Sequence, residues 1–548
     1  MHSRAFVWSA LVLLIPKWLA PLSAEVRLGH VVMPNSGSAA AQEPFLQGLA
    51  ALHSFWYDEA ADSFRLAQRL DPSFVLAYWG EAMTHNHPIW REVDLESARA
   101  VLAKLGASAA LRASRAATDR EQMYLAAAEI LFGEGDKVAR DRAYSEAMER
   151  LHRRYPEDRE AAAFFALSLQ GLQQPGTFDP RLQMRSGAIL EEVFAADPLH
   201  PGAAHYLIHA YDDPVHAPLG LRAARVYAMI APAAHHALHM PSHIFVQLGM
   251  WEEAAASNRD AYSASLAWQE RRGHPIAKRD FHSLSWLLYA NLQLGRLKDA
   301  EATLRVAEEA VVEGGRRVAD AAEEMRARYL LETGSSPEAG ARTAVEVPGD
   351  SAAAPPGHAC AAYSPGAAGG SLLFAQGVSA LLRGDRAVAR AAAEELEVRA
   401  KAEEGPHSKE LGILELQLTG AFEIASGRVE EGLAELAEAV RLEETLPPPS
   451  GPPTPIRPAH EAYGEALLGA SRFVEAALEF EKALLRTPNR PAALLGAARA
   501  YARAGNEVLA RDRYTALAAI WAGADPGYAP RKEALAYLES RGGERPAP

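Results

Sequence analysis

GLAALHSFWYDEAADSFRLAQRLDP, residues 48–72, and GEALLGASRFVEAALEFEKALLRTP, residues 464–488, share one frame. Gly48, Ala60, Phe64, Ala67 and Pro72 have the same mutual spacings as Gly464, Ala476, Phe480, Ala483 and Pro488. Small residues at these offsets let two antiparallel helices approach closely, the aromatic fills the gap between them, and the proline ends the second helix. Each stretch therefore reads as a helix–turn–helix unit.

Working outward, a turn glycine with alanine five residues on returns at Gly249/Ala254, Gly295/Ala300 and Gly384/Ala389, and the tail repeats it at Tyr501, Gly505 and Ala510. Gly427 keeps the turn but has Gly432 in place of the alanine. These residues resemble the tetratricopeptide family, whose repeat length is about 34 residues. The resemblance implies an all-α fold: a solenoid in which antiparallel helix pairs wind into a superhelix, with a concave surface for a protein or peptide partner. At 548 residues the chain has room for several compact domains; the repeats favour one array in two parts.

Two compositional breaks divide it. The stretch from 334 to 370 is rich in Gly, Ala, Pro and Ser and has no helical apolar period, so we place a linker at 341–370. It separates an N-terminal helical domain, 25–340, from a C-terminal array, 371–540. LPPPSGPPTPIRP, 446–458, is expected to be extended. Residues 27–38 read as an extended arm or short strand. At the start, Arg4, an apolar run from Ala5 to Ile15, and Ser23 and Ala24 form the three-part pattern of a secretory signal, 1–24. The run is too short to span a bilayer, so a periplasmic or secreted protein with no membrane span after cleavage is expected.

Composition removes several classes. With 70 acidic against 56 basic residues and a formal net charge of -14, there is no basic field for a nucleic acid. One cysteine, Cys360, excludes multi-thiolate zinc or iron–sulfur sites. HExxH, a glycine-rich phosphate loop and a GxSxG elbow are all missing.

The 19 histidines are unevenly spread. His200, His205, His209, His216, His235, His236, His239 and His243 occupy 44 residues, where even spreading would put about 1.5. In HPGAAHYLIHAYDDPVH, Pro201 suits the first turn of a helix and Pro214 stops it, so His205 and His209 share one face and can converge on one ion. Asp213 or Asp212 follows as a third ligand or as a support for an imidazole. His239 and His243 repeat the interval, but Pro241 lies between them and should begin a new helix, leaving His239 in the preceding turn. His53, His85, His87 and His282 are further candidate ligands, although a lone buried His more simply satisfies a neighbouring polar group. His200, His216, His235 and His236 read as caps, loop residues or supports.

The run from SGSAAAQEPFLQGLAALHSFWYDEA through AYWGEAMTHNHPIW and HPGAAHYLIHAYDDPVHAPLGLRAAR to HALHMPSHIFVQLGMWEEA resembles a group of exported bacterial tetratricopeptide proteins with a His-rich region. No activity comes with that resemblance. Two functions stay open. One is a transition-metal site of copper or zinc in the N-terminal half, serving a metal-dependent oxidase or hydrolase, with a partner-binding C-terminal array. The other is a non-catalytic interaction scaffold whose histidines serve packing. If the metal reading holds, the His205/His209 and His239/His243 pairs must lie on facing helices.

Overall fold

The computed structural model describes residues 27–174, 176–334 and 365–540. The expected signal at 1–24, and the linker up to residue 364, lie outside the described residues. Between Ala39 and Ser540 the described residues form a succession of helices in which sequence neighbours pack together, an all-α solenoid of helix pairs. Among the described residues the only strands are Asn86–His87 and Glu92–Val93, two residues each, paired in the loop that carries THNHPIW. Residues 27–38 form an extended arm without regular structure. It is held where the His30 amide donates to the Leu199 carbonyl at 2.9 Å and the Ser36 amide to Glu121 at 2.8 Å.

The repeated aromatic works as its spacing implied. Phe64 is wholly buried, and a Cβ on Gly48 or Gly80 would approach its ring to 3.0 or 2.4 Å. Phe480 stands in the same way between Gly464 and Gly496, at 3.1 and 2.2 Å. Each ring thus pins the first helix of its own unit to the first helix of the next, and only glycine leaves room for it. Between the helices of a unit the chain turns through one left-handed residue, as at Gly249 (φ 66°) and Gly295 (φ 67°). In the two units quoted above, that slot holds Phe55 (φ 50°) and Ser471 (φ 62°).

The superhelix returns on itself. Trp251 Nε1 donates to the Asn489 carbonyl at 3.3 Å, and Trp521 Nε1 to the Gln293 carbonyl at 3.0 Å. Arg490 is buried against Glu461 at 2.8 Å and Glu332 at 2.7 Å and donates to Tyr289 at 3.2 Å. The proline-rich stretch 446–458 has no regular structure and crosses the interior as a strap. Gln247 Nε2 donates to the Pro449 carbonyl at 2.7 Å, and Gly451 lies on the Trp286 indole, where a Cβ would come within 2.3 Å of the ring. The Pro365–Leu382 helix occupies the end of the stretch expected as linker, because the small residues there pack on Leu411 and Leu418.

Candidate metal centre

Three helices carry most of the site. Pro201–Ala210 opens with proline at its first turn and is capped by His200, whose Nδ1 accepts the Ala203 amide at 3.0 Å. His235–His239 and Pro241–Gln247 are joined by Met240, which keeps right-handed helical angles (φ -52°, ψ -37°). Pro241 therefore starts a helix without turning the chain away. His239 and His243 stay on one face after all, Nε2 to Nε2 at 3.1 Å. Phe281–Gln293, capped by Asp280, brings His282 from the next unit.

Together these helices build two groups of three imidazoles, His205/His209/His236 and His239/His243/His282, in each of which one ring nitrogen per residue lies within 4.8 Å of the others. The groups adjoin, with ring centroids 6.0 Å apart between His209 and His243 and 6.2 Å between His236 and His239. The helices bearing His205/His209 and His239/His243 do face one another.

Hydrogen bonds outside the groups decide where the ring protons sit. His239 Nδ1 donates to Asn258 Oδ1 at 2.6 Å; Asn258 Nδ2 donates to the Ala254 carbonyl at 2.8 Å, which fixes the amide orientation. His243 Nδ1 donates to Asp212 Oδ2 at 2.6 Å, and His205 Nδ1 donates to the His53 carbonyl at 2.7 Å. These are the partners that hold a metal-ligating imidazole in one orientation and tautomer and turn its Nε2 lone pair inward. In the second group the Nε2 atoms of His239 and His243 then face each other at 3.1 Å, so a positive centre has to lie between them. A proton on one ring would serve that pair, but Nε2 of His282 is also buried without a partner, as is Nε2 of His209 in the first group. Each bare buried nitrogen costs about 1–3 kcal/mol. A single cation in each group would give the bare nitrogens of His209 and His282 a partner.

Burial favours the neutral form that a metal needs at His205, His209, His236, His239 and His282. It pushes His205 down to about 3, with the neighbouring His53 and His243 adding to the fall, and His282 down to about 4 against the pull of Asp280. His209, His236 and His239 are also held well below the usual range, first by burial and then by the surrounding rings. Each group offers nitrogen donors only, in the number and type suited to copper or zinc.

A third group, His53, Glu160 and His200, lies behind the first. Glu160 is wholly buried; desolvation opposes its ionisation, but His200 and His53 beside it hold its carboxyl well below the usual range. His53 Nε2 donates to Glu160 at 2.6 Å and its Nδ1 accepts from Tyr206 at 3.0 Å. Because His200 Nδ1 accepts an amide, its proton is on Nε2, 3.3 Å from Glu160. Glu160 thus lies between the two rings, and both nitrogens of His53 are hydrogen-bonded. The part of this group in the site is to hold the His53 carbonyl against His205, and Gly202 permits it, since a Cβ there would lie 2.3 Å from His53 Nδ1.

Of the residues expected from sequence, the fold gathers His205, His209, His239, His243 and His282 in the two groups and places His53 behind them. Asp213 is not among the converging donors: it accepts His216 Nδ1 at 2.7 Å and the amides of Val215 and His216, so it closes a turn. His85 and His87 stand apart as well, on a separate cavity with Asp58, Arg65 and Arg272, where His87 is buried with its ring stacked on Tyr57 at 4.2 Å. Asp212, the alternative acidic residue, supports His243. His236 joins the first group although it read as a cap or support. The signal was its spacing, since His236, His239 and His243 fall at i, i+3 and i+7 on one helical face. Phe55 was also missed: its ring lies 4.4 Å from His205 and 5.7 Å from His236.

No family model matches the chain, and no curated protein matches it. Among solved structures it is similar to the Cut9–Hcn1 hetero-tetramer of the APC/C, at TM-score 0.31 and 10% identity over 92% of this chain and 78% of that one. It is also similar to a human IFIT1 dimer with m7Gppp-AAAA (0.33, 12%, 93% and 90%) and to yeast Tom70 (0.28, 11%, 91% and 95%). At these TM-scores they assign no partner or activity to this chain. Among the described residues no helix is long and apolar enough to cross a membrane.

Proposed function

We propose that this is an exported helical-repeat protein whose N-terminal half holds two transition-metal ions, one in each tri-imidazole group, and that the pair serves oxidation of a small molecule. The observation that carries the reading is the pair of Nε2 lone pairs of His239 and His243 at 3.1 Å, their Nδ1 protons committed to Asn258 and Asp212, beside the bare Nε2 of His282. Copper is preferred over zinc because imidazole-only sites bind it more tightly, and because two neighbouring copper ions can together take up the two electrons that most organic oxidations release. Export is supported by the basic, apolar and small-residue pattern of residues 1–24. The C-terminal repeats offer a concave face to a protein or peptide partner, as solenoids of this class do.

Elemental analysis of the mature chain purified from the periplasm tests the reading. About two metal equivalents are expected in the wild type, and about one in either His205→Ala/His209→Ala or His239→Ala/His243→Ala, by the one-ion-per-group argument. Zinc in place of copper would redirect the chemistry from oxidation to hydrolysis. A trace well below one equivalent in the wild type would leave only the interaction scaffold.

A further inference from the structure

A cavity of about 330 Å³ opens on His209, His243 and His282, at the lower end of the size range of small-molecule sites. Trp90, Trp286 and Phe178 supply aromatic walls, and Pro447 and Pro448 of the strap close one side. The polar groups around it are biased towards acceptors. Gln170, 4% exposed, donates from Nε2 to Ser186 Oγ and to the Tyr206 carbonyl, both at 2.8 Å. A carbonyl can only accept, so the amide orientation is fixed and Oε1 is the free end; it is buried and has no donor. Gln183 Oε1, on the same cavity, is buried without a donor too. Asp212 and Asp213 add carboxylates, and no lysine or arginine lines the space. An anionic ligand would therefore be repelled. A cationic one would find both carboxylates already engaged, Asp212 with His243 at 2.6 Å and Asp213 with His216 at 2.7 Å. What the site lacks is a neutral donor.

We propose that this cavity binds a small phenol: the ring lies against Trp90 and Trp286, and the hydroxyl donates to Gln170 Oε1 beside the imidazole groups. Aromatic walls favour a flat ring, and a buried acceptor left unpaired discriminates strongly for a ligand that supplies its hydrogen. The assignment rests on the metal reading for what becomes of the phenol, but not for its binding, because none of the residues that would hold it belongs to the tri-imidazole groups.

Calorimetric titration of the full-length mature chain as purified, under anaerobic conditions, with 4-methylphenol, toluene, 4-methylbenzoate and benzylamine tests this separately. The phenol should bind more tightly than each of the other three by about tenfold or more, the effect of one buried hydrogen bond or one repelled charge. Phe178→Ala, at the exposed cavity wall, should weaken the phenol by about tenfold at unchanged melting temperature, and Trp90→Ala should weaken it as much while lowering the melting temperature, because Trp90 also packs on Phe55 and His236. Equal affinity for the benzoate, tighter binding of benzylamine, or phenol binding untouched by both substitutions would overturn the assignment. If the phenol binds but the purified chain carries no metal, the metal reading fails and this one stands.

Discussion

Phe55 shows what a single residue contributes. The equivalent slot is glycine in most repeats, and a bulky side chain at φ 50° carries strain of about 1–2 kcal/mol. In return the phenyl ring packs on His205 and His236 and on Trp90 at 5.3 Å. Phe55→Gly should therefore relax the turn yet loosen the first group, with metal affinity there falling about tenfold, the scale of losing a supporting contact; competition with a chromophoric chelator would measure it. Asp212→Ala removes the acceptor that holds the His243 proton on Nδ1. A loss of about 10- to 100-fold in affinity is expected, confined to the second group. Gly202→Ala brings a methyl group onto His53, which cannot withdraw from its bonds to Glu160 and Tyr206. A melting temperature lowered in step with about 1–3 kcal/mol of overpacking is the expected outcome.

The same residues explain what could be read in the sequence at the level of elements. The helix pairs were legible because Gly48, Phe64 and their counterparts are local signals, set by the need for a ring to fit between two close helices. The i, i+4 pairing of His205 and His209 was legible for the same reason. The role of His236 was not, because its neighbour His235 also sits in the short helix and points elsewhere, to Asp280 at 3.3 Å. Asp213 was misleading because its fate depends on a turn, and Glu160 was invisible because its partners lie 40 residues and more away in sequence. The strap at 446–458 was expected to be extended, but nothing in its composition says that it lies across the cavity. Gly451→Val should lift it from Trp286, since even a Cβ would meet the indole at 2.3 Å. Faster proteolytic cleavage between residues 446 and 458 would register that, and cleavage at the wild-type rate would show that the strap is not held by this contact.

At the scale of the whole molecule, the buried imidazoles tie folding to pH. His53, His205, His209, His236, His239 and His282 all have their titration lowered by burial from the ordinary 6.5. Below pH 6.5 the unfolded chain takes up protons that the folded chain refuses, so stability is full above that value and is lost as pH falls through it. Each group costs up to about 1.4 kcal/mol per pH unit. Glu160, also lowered, adds its own loss below its ordinary 4.5. The metal-free protein should melt at progressively lower temperature from pH 6.5 downward, and bound metal should offset the loss at the upper end of that range. A flat profile would mean that the imidazoles are not buried neutral. The two halves are joined by Arg490, and Arg490→Leu would strand Glu461 and Glu332 against the array, a cost of about 3–5 kcal/mol. Denaturant unfolding that separates into two transitions would report it.

Two cations side by side among six histidines would be seen in anomalous diffraction from crystals of the mature chain, recorded at the copper and zinc absorption edges. Two peaks are expected, one among His205, His209 and His236 and one among His239, His243 and His282. A map with no peak in either group, and with the imidazoles hydrogen-bonded only to one another, would contradict the two-cation reading.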